Sequence, residues 1–142
     1  LSAAAQRDAI AESVPTTAEQ VHARQIMLLD LGKATLVRNN LLTGSDFLTQ
    51  ALYYDPVTGG DLSWFPRGYL TVPEIEEAAF ALEPGQFSEV IQTRLGYHIL
   101  YIEDRDPQRP LSLDARRVLQ AKALQEWLKA QRANSTIEIL IP

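Results

Sequence analysis

The sequence predicts an α+β domain with an antiparallel sheet and a helical arm at each end. Five stretches carry apolar residues at helical spacing, and three others are compact and rich in apolar or β-forming residues. The last two β-rich stretches are separated by a few residues that include Gly96, which is typical of a hairpin and so of antiparallel pairing. The first and last helical stretches lie outside this central series, so we expect them to form arms.

The N-terminal half predicts one helix, one strand and two further helices: residues 2–12, residues 21–29, residues 33–42 and residues 47–52. Pro15 ends the first helix and opens a short linker. Gly44 closes the second helix, and Ser45 is a suitable N-cap for the third.

The C-terminal half begins with a predicted loop (residues 54–67) and a helix (73–82). A hairpin of two strands (87–93 and 97–103) and a stiff connector (107–110) follow. A long helix (112–133) and an extended tail (136–141) are predicted after them. Pro73 suits the first turn of its helix, and Ser112 is a good N-cap for the long one. An isolated helix as short as residues 2–12 is marginal in water, so we expect the two terminal helices to pack together. They could do so within one chain or across two chains, and exchange of arms would give a homodimer.

The composition is that of an ordinary globular protein. Hydrophobic residues make up 46% and charged residues 22% of the 142 residues, enough for one cored domain with an appendage. A net charge of −5 with scattered Lys and Arg argues against nucleic-acid binding. The lack of cysteine excludes disulfides and thiolate chemistry.

The chain has only two histidines, His22 and His98, each near the start of a predicted strand. In an antiparallel sheet two such positions can be neighbours. No further His or Cys completes a metal site, and neither a Gly-x-Ser-x-Gly elbow nor a phosphate-binding glycine loop is present. The pattern alone leaves open whether these histidines are hydrogen-bonded core residues or part of a site.

Four ordered motifs resemble the parvulin family of peptidyl-prolyl isomerases. They are HARQI at residues 22–26, GGDLSWF at 59–65, VPEIEEAAFAL at 72–82 and VIQTRLGYHI at 90–99. The resemblance spans about residues 21–104. It implies an FKBP-like antiparallel four-stranded sheet with surrounding helices. The arms add a likeness to the exported chaperone-isomerases and foldases of bacteria.

The resemblance also implies a domain division, namely an N-terminal arm and linker (1–20), an isomerase domain (21–106) and a C-terminal arm and tail (107–142). It implies a catalytic set in which His22 and His98 pair beneath the site, Thr93 hydrogen-bonds into that pair, and Asp55 lies above the substrate amide. The substrate-binding residues that it implies are Leu62, Trp64, Phe65, Leu70, Ile75, Phe80 and Leu95.

Three features depart from the family pattern. Gln25 stands where the opening motif has a second histidine. The loop that carries Asp55 is shorter than is usual, and Leu70 and Ile75 fill positions that often hold Met and Phe.

The implied reaction needs no cofactor or metal. Rotation about a peptide bond faces a barrier of roughly 18–20 kcal/mol, whereas cis and trans prolyl bonds differ little in energy. A catalyst therefore only has to bind the twisted bond more tightly than the planar one.

The sequence leaves several functions open. The first is an isomerase that acts on X-Pro bonds of unfolded or extended polypeptides, with unphosphorylated substrates expected because no basic cluster lies near the site. The second is a catalytically weak module that holds unfolded clients as a chaperone, and the third is an assembly domain that dimerises through its arms. No signal peptide is visible and the chain opens at Leu1, so we expect a fragment that has lost a targeting or anchoring segment. The likeness to the exported chaperone-isomerases implies an extracytoplasmic location.

Overall fold

The computed structural model describes the backbone of residues 2–140 and the side chains of residues 2–133. Its elements are α1 (Ala3–Ser13), β1 (Thr17–Leu28), α2 (Leu31–Leu42), α3 (Phe47–Tyr54), β2 (Asp61–Pro66), α4 (Pro73–Ala81), β3 (Ile91–Thr93), β4 (Gly96–Pro110) and α5 (Leu113–Leu140). The four strands form one antiparallel sheet in the order β2-β1-β4-β3. The predicted α+β class and four-stranded sheet are confirmed.

The predicted elements differ from the structure in several places. The strand expected over residues 21–29 begins at Thr17, and the strand expected over residues 87–93 is limited to Ile91–Thr93. Residues 61–66, expected within a loop, form β2, which pairs with β1. Residues 107–110, expected as a connector, continue β4. Helix α5 continues through Leu140 where an extended tail was expected from residue 136, and the end of that predicted tail lies outside the described residues. The N-cap of α3 is Asp46 and not Ser45, because the Asp46 carboxylate accepts the Thr49 N–H.

The chain divides into two compact units. One unit runs from Glu19 to Arg109 and holds most of the sheet with α2, α3 and α4. The other combines the chain up to Ala18 with the chain from Pro110 onward. The domain limits predicted at residues 20 and 106 stay a prediction.

The two helices of the second unit contact each other, as the sequence predicts for its terminal helices. Side chains of α5 donate to backbone carbonyls at the end of α1, from Gln120 to Ala11 and from Arg116 to Val14. Ser112 caps α5 by accepting the Ala115 N–H, as predicted. The backbone N–H of Leu111 also donates to Thr16, so the segments that lead into the two helices are tied together.

The sheet of the first unit carries a separate apolar cluster on each face. Val21 and Ala23 of β1 pack with Leu100 of β4 and with Ile75 of α4. On the other face, Ile26 of β1 belongs to a cluster completed by residues of α2, α3 and β4: Ala34, Val37, Leu41, Phe47, Ala51 and Ile99. Because successive strand residues point to opposite faces, α4 covers one face and α2 with α3 covers the other.

Candidate active site

A buried imidazole lies at the centre of the site, on the α4 face of the sheet. His98 of β4 is 2% exposed, and both of its ring nitrogens are hydrogen-bonded. Its Nδ1 lies 3.0 Å from Oε1 of Gln25, and its Nε2 lies 2.7 Å from Oγ1 of Thr93. An amide oxygen can only accept, so Nδ1 carries the hydrogen and Nε2 accepts the threonine hydroxyl. This pattern fits a neutral ring, and burial lowers the pKa of His98 below its ordinary value.

The hairpin places Thr93 where the sequence predicted, against His98. Thr93 ends β3 and pairs across the turn with Gly96 at the start of β4. Its hydroxyl also accepts the backbone N–H of Leu95 at 3.1 Å, which fixes the turn. A side chain on Gly96 would come within 2.7 Å of the Leu28 carbonyl, so this turn requires glycine.

The backbone of Gln25 is fixed by a hydrogen bond to the glycine pair of the second motif, Gly59-Gly60. The backbone N–H of Gln25 donates to the Gly60 carbonyl at 2.9 Å. Gly60 has φ +71°, and a Cβ there would lie 1.8 Å from the Gln25 carbonyl oxygen. The two backbones can meet this closely only because residue 60 has no side chain.

A small apolar cleft opens beside Gln25 and His98. It has a volume of about 110 Å³ and is lined by Gln25, Met27, Leu62, Leu70, Thr71, Val72, Ile75, Leu95 and His98. Pockets for drug-sized ligands are several times larger, so this cleft suits a single small ring or side chain. One wall is fixed by the Glu76 carboxylate, which accepts the N–H groups of Gly68 and Leu70.

Asp55 lines a second cavity of about 190 Å³ that shares Gln25 and Met27 with the cleft. Its carboxylate organises its own loop by accepting the hydroxyl and N–H of Thr58 and the N–H groups of Val57 and Gly60. These hydrogen bonds, chiefly from the Thr58 hydroxyl, lower the pKa of Asp55. Asp55 is therefore an ionised residue that orders the loop at the edge of the site.

The expectation that His22 and His98 lie side by side is wrong. His22 bonds through Nε2 to Asp61 at 2.8 Å, and its Nδ1 lies 3.3 Å from a Glu103 oxygen. Neither partner belongs to the cleft, and the strand alternation of β1 puts His22 and Gln25 on opposite faces of the sheet. The side chain that pairs with His98 is that of Gln25, three residues further along β1.

Three of the predicted substrate-binding residues also lie away from the cleft. Trp64 stacks on His22 with ring centroids 5.6 Å apart, and the Arg109 guanidinium covers it at 4.0 Å. Phe65 and Phe80 are buried in the apolar cluster beneath α4, where their rings meet edge to face at 5.9 Å. The structure does bring Leu62, Leu70, Ile75 and Leu95 together in the cleft.

Sequence reasoning missed four residues of the cleft, namely Gln25, Met27, Thr71 and Val72. The β1 residues could have been found from strand alternation, because Gln25 and Met27 share a face with Val21 and Ala23. Thr71 and Val72 lie between β2 and α4, in a segment whose path no sequence pattern specifies.

The fold and the site together are those of an α+β domain with a buried, hydrogen-bonded histidine beside a small apolar cleft. Comparison with known proteins identifies it. A family model described as "Rotamase: PPIC-type PPIASE domain" matches residues 32–104. The chain belongs to this family of peptidyl-prolyl isomerase domains, as the four motifs predict.

Two relatives are each 32% identical to this chain. The foldase protein PrsA of Geobacillus sp. (strain WCH70) matches over 86% of this chain and 45% of its own length. The chaperone SurA of Dechloromonas aromatica (strain RCB) matches over 89% of this chain and 33% of its own. The crystal structure of the peptidylprolyl isomerase PrsA from Bacillus cereus superposes with a TM-score of 0.66 at 27% identity, over 92% of this chain and 54% of that one. The chain thus spans less than half the length of these two relatives.

Proposed function

We propose that this chain accelerates cis-trans isomerisation of X-Pro bonds in unfolded or extended polypeptides, using the cleft above His98. The observation that carries the proposal is one hydrogen-bonded chain of Gln25, His98 and Thr93, the first two of which line an apolar cleft. The arrangement supplies both a place for a pyrrolidine ring and polar groups beside its amide.

The cleft supplies preferential binding of the twisted bond. Leu70, Ile75 and Leu95 offer apolar surface to the proline ring, and their contact excludes water from the prolyl amide. A planar amide is more polar than a twisted one, in which conjugation is lost. A dry apolar wall therefore disfavours the planar ground state relative to the transition state.

Gln25 supplies a fixed polar group. Its side-chain oxygen is hydrogen-bonded to His98, and Gln25 is among the residues that line both cavities. The amide NH₂ is therefore the group available to donate to the substrate carbonyl or to the prolyl nitrogen as that nitrogen becomes pyramidal. His98 and Thr93 act by holding this amide in orientation, and none of the three transfers a proton.

The proposal is tested by exchange NMR on a short peptide with one X-Pro bond. The full chain is expected to raise the cis-trans exchange rate at catalytic concentration, and Ile75→Ala is expected to reduce kcat/KM because it removes part of the proline wall. The matched control is Val37→Ala, a buried aliphatic residue on the other face of the sheet. Equal exchange rates with and without the chain would overturn the proposal.

An exposed apolar surface favours a second candidate function, the binding of unfolded chains without turnover. Tyr53 is 78% exposed and Val57 is 90% exposed, and they lie close in the sequence to Tyr54 and Asp55, which line the second cavity. Exposed groups of this kind often mark binding surfaces. Suppression of client aggregation without acceleration of prolyl exchange would select this function over the first.

The natural setting of the domain is part of the proposal. The foldase and chaperone relatives support unfolded polypeptides as clients and an extracytoplasmic location. A homodimer formed through the arms stays a prediction. Among residues 2–140 no helix is long and apolar enough to cross a membrane. Light scattering on the chain with and without residues 1–18 tests the dimer.

A further inference from the structure

A group of charged side chains lies on the face of the sheet opposite the cleft. We call His22, Arg24, Asp61 and Glu103 the back-face cluster. Arg24 donates through Nε to Oε1 of Glu103, and the other oxygen of that carboxylate lies 3.3 Å from Nδ1 of His22. His22 in turn binds Asp61, which begins β2. The proposed reaction uses none of these residues.

Arg24 connects this cluster to the loop that carries Asp55. Its Nη1 donates to the carbonyl of Thr58 at 2.9 Å and to that of Gly59 at 3.3 Å. The Arg24 side chain is only 17% exposed, and a Cβ on Gly59 would lie 2.9 Å from Nη1. The guanidinium therefore fits closely against a glycine backbone and bridges Glu103 to two loop carbonyls, which its rigid set of donors allows.

The next residue of the loop reaches the site. The Gly60 carbonyl accepts the N–H of Gln25, and the Gly60 N–H is directed to the Asp55 carboxylate. Movement of the Thr58–Gly60 backbone would therefore change the position of both Gln25 and Asp55. Asp61 secures the far end of the same loop through His22, and its backbone N–H donates to Thr58.

We propose that Arg24 is a positioning residue for prolyl isomerisation, which holds the Asp55–Gly60 loop against Gln25 from the back of the sheet. This inference rests on the proposed function and gives the back-face cluster a role in it. Glu103 and His22 orient the guanidinium, and the carbonyls of Thr58 and Gly59 accept its hydrogen bonds.

The test compares Arg24→Met, which keeps the aliphatic stem, with Arg24→Lys, which keeps the charge but cannot bridge three acceptors. Arg105→Met is the matched control, because Arg105 likewise donates to two carbonyls, those of Phe80 and Leu82, and pairs with glutamates. Hydrogen exchange is measured at the amides of residues 57, 58 and 60, with the Leu100 amide as the internal reference. Prolyl exchange rates are measured on the same samples.

Arg24→Met is expected to speed exchange of the loop amides roughly 10- to 100-fold relative to the Leu100 amide, as loss of a charge-assisted hydrogen bond predicts. We expect kcat to fall roughly 3- to 30-fold with little change in KM, because the cleft walls remain. Arg24→Lys is expected to show an intermediate effect, and Arg105→Met is expected to leave loop exchange unchanged.

The positioning role of Arg24 would be overturned if Arg24→Met showed the same hydrogen exchange at the loop amides as Arg105→Met. It would also be overturned if the loop amides of Arg24→Met exchanged faster while kcat stayed unchanged. If Arg24→Met unfolds, which Leu100 exchange would reveal, the Arg24→Lys variant decides between the same outcomes. An inactive wild-type chain would overturn the proposed function by itself, and loop exchange would still decide whether Arg24 holds the loop.

Discussion

Replacement of Gln25 separates its two proposed tasks, which are to accept a hydrogen bond from His98 and to donate one to the substrate. Gln25→Ala removes both. Since His98 is 2% exposed, its Nδ1–H then loses its partner in a nearly dry site, which costs about 1–3 kcal/mol of unfolding free energy. A lost transition-state hydrogen bond of the same size lowers kcat/KM roughly 5- to 150-fold.

Gln25→Glu keeps the acceptor and removes the donor. The nearly isosteric carboxylate still accepts the Nδ1–H of His98, so we expect a smaller loss of unfolding free energy than in Gln25→Ala. Turnover is nevertheless expected to fall by a similar factor, because no NH₂ remains to face the substrate. The assays are exchange NMR on a prolyl peptide and urea unfolding, with Gln92→Ala on the exposed side of β3 as the control.

Wild-type turnover in Gln25→Ala would refute the reasoning outright. Turnover lost in Gln25→Ala and retained in Gln25→Glu would show that Gln25 only positions His98 and donates nothing to the substrate.

Three further predictions concern the same hydrogen-bonded chain. Burial lowers the pKa of His98, so the unfolded chain takes up this proton at a higher pH than the folded chain. The unfolding free energy is therefore expected to fall as the pH drops below about 6.5 and towards the lowered pKa. Urea unfolding of His98→Asn should show a smaller fall, and parallel plots of unfolding free energy against pH for the two chains would contradict this. Thr93→Ala is expected to lower kcat/KM roughly 3- to 10-fold in the prolyl exchange assay. The hydroxyl of Thr43 only caps a helix, so Thr43→Ala is expected to leave kcat/KM unchanged. Equal values of kcat/KM for the two variants would contradict a role of Thr93 in the site. Gly60→Ala is expected to lower the unfolding free energy by about 1–3 kcal/mol because of the positive φ alone, and by more because its Cβ would meet the Gln25 backbone. Thermal unfolding measures the loss. A melting temperature equal to that of the wild type would contradict the close approach of the two backbones.

The family and most of the fold could be predicted from the sequence because they rest on local signals. Caps, turns and helical spacing locate α1, α2, α4 and α5, and the hairpin is signalled by its turn around Gly96. Strand β2 was missed for a physical reason. It is short, follows two glycines and ends in proline, and Ser63 has φ +59°, so its side chains do not alternate as those of a regular strand do.

Alternation along β1 could have put Gln25 on the α4 face, but which residue of that face meets His98 depends on the register between β1 and β4 and could not be predicted. Two side chains of β1 that are three residues apart face opposite sides of the sheet. A pairing through His22, the histidine that the opening motif retains, therefore puts the partner on the wrong face. The sequence shows Gln25 in place of a family histidine, yet only the sheet shows that Gln25 lies beside His98.

The placement of Phe65, Phe80 and Trp64 outside the cleft was equally hidden from the sequence. An aromatic residue beside a cleft and one beneath it have the same local pattern, since both are apolar and lie on the inward face. Only the packing of α4 on the sheet separates Ile75, which lines the cleft, from Phe80, which meets Phe65 in the core.

Mapping a bound prolyl peptide by NMR tests the account most directly. A peptide with one X-Pro bond is titrated into isotope-labelled chain, and shift changes are followed at Gln25, Met27, Leu95 and His98 and, on the opposite face of the sheet, at Trp64. We expect saturable chemical-shift changes at the first four positions and cis-trans exchange of the bound peptide. At Trp64 we expect no shift change as large as direct contact would cause. Changes centred on Trp64 and His22, or binding that leaves the His98 ring unaffected, would contradict it.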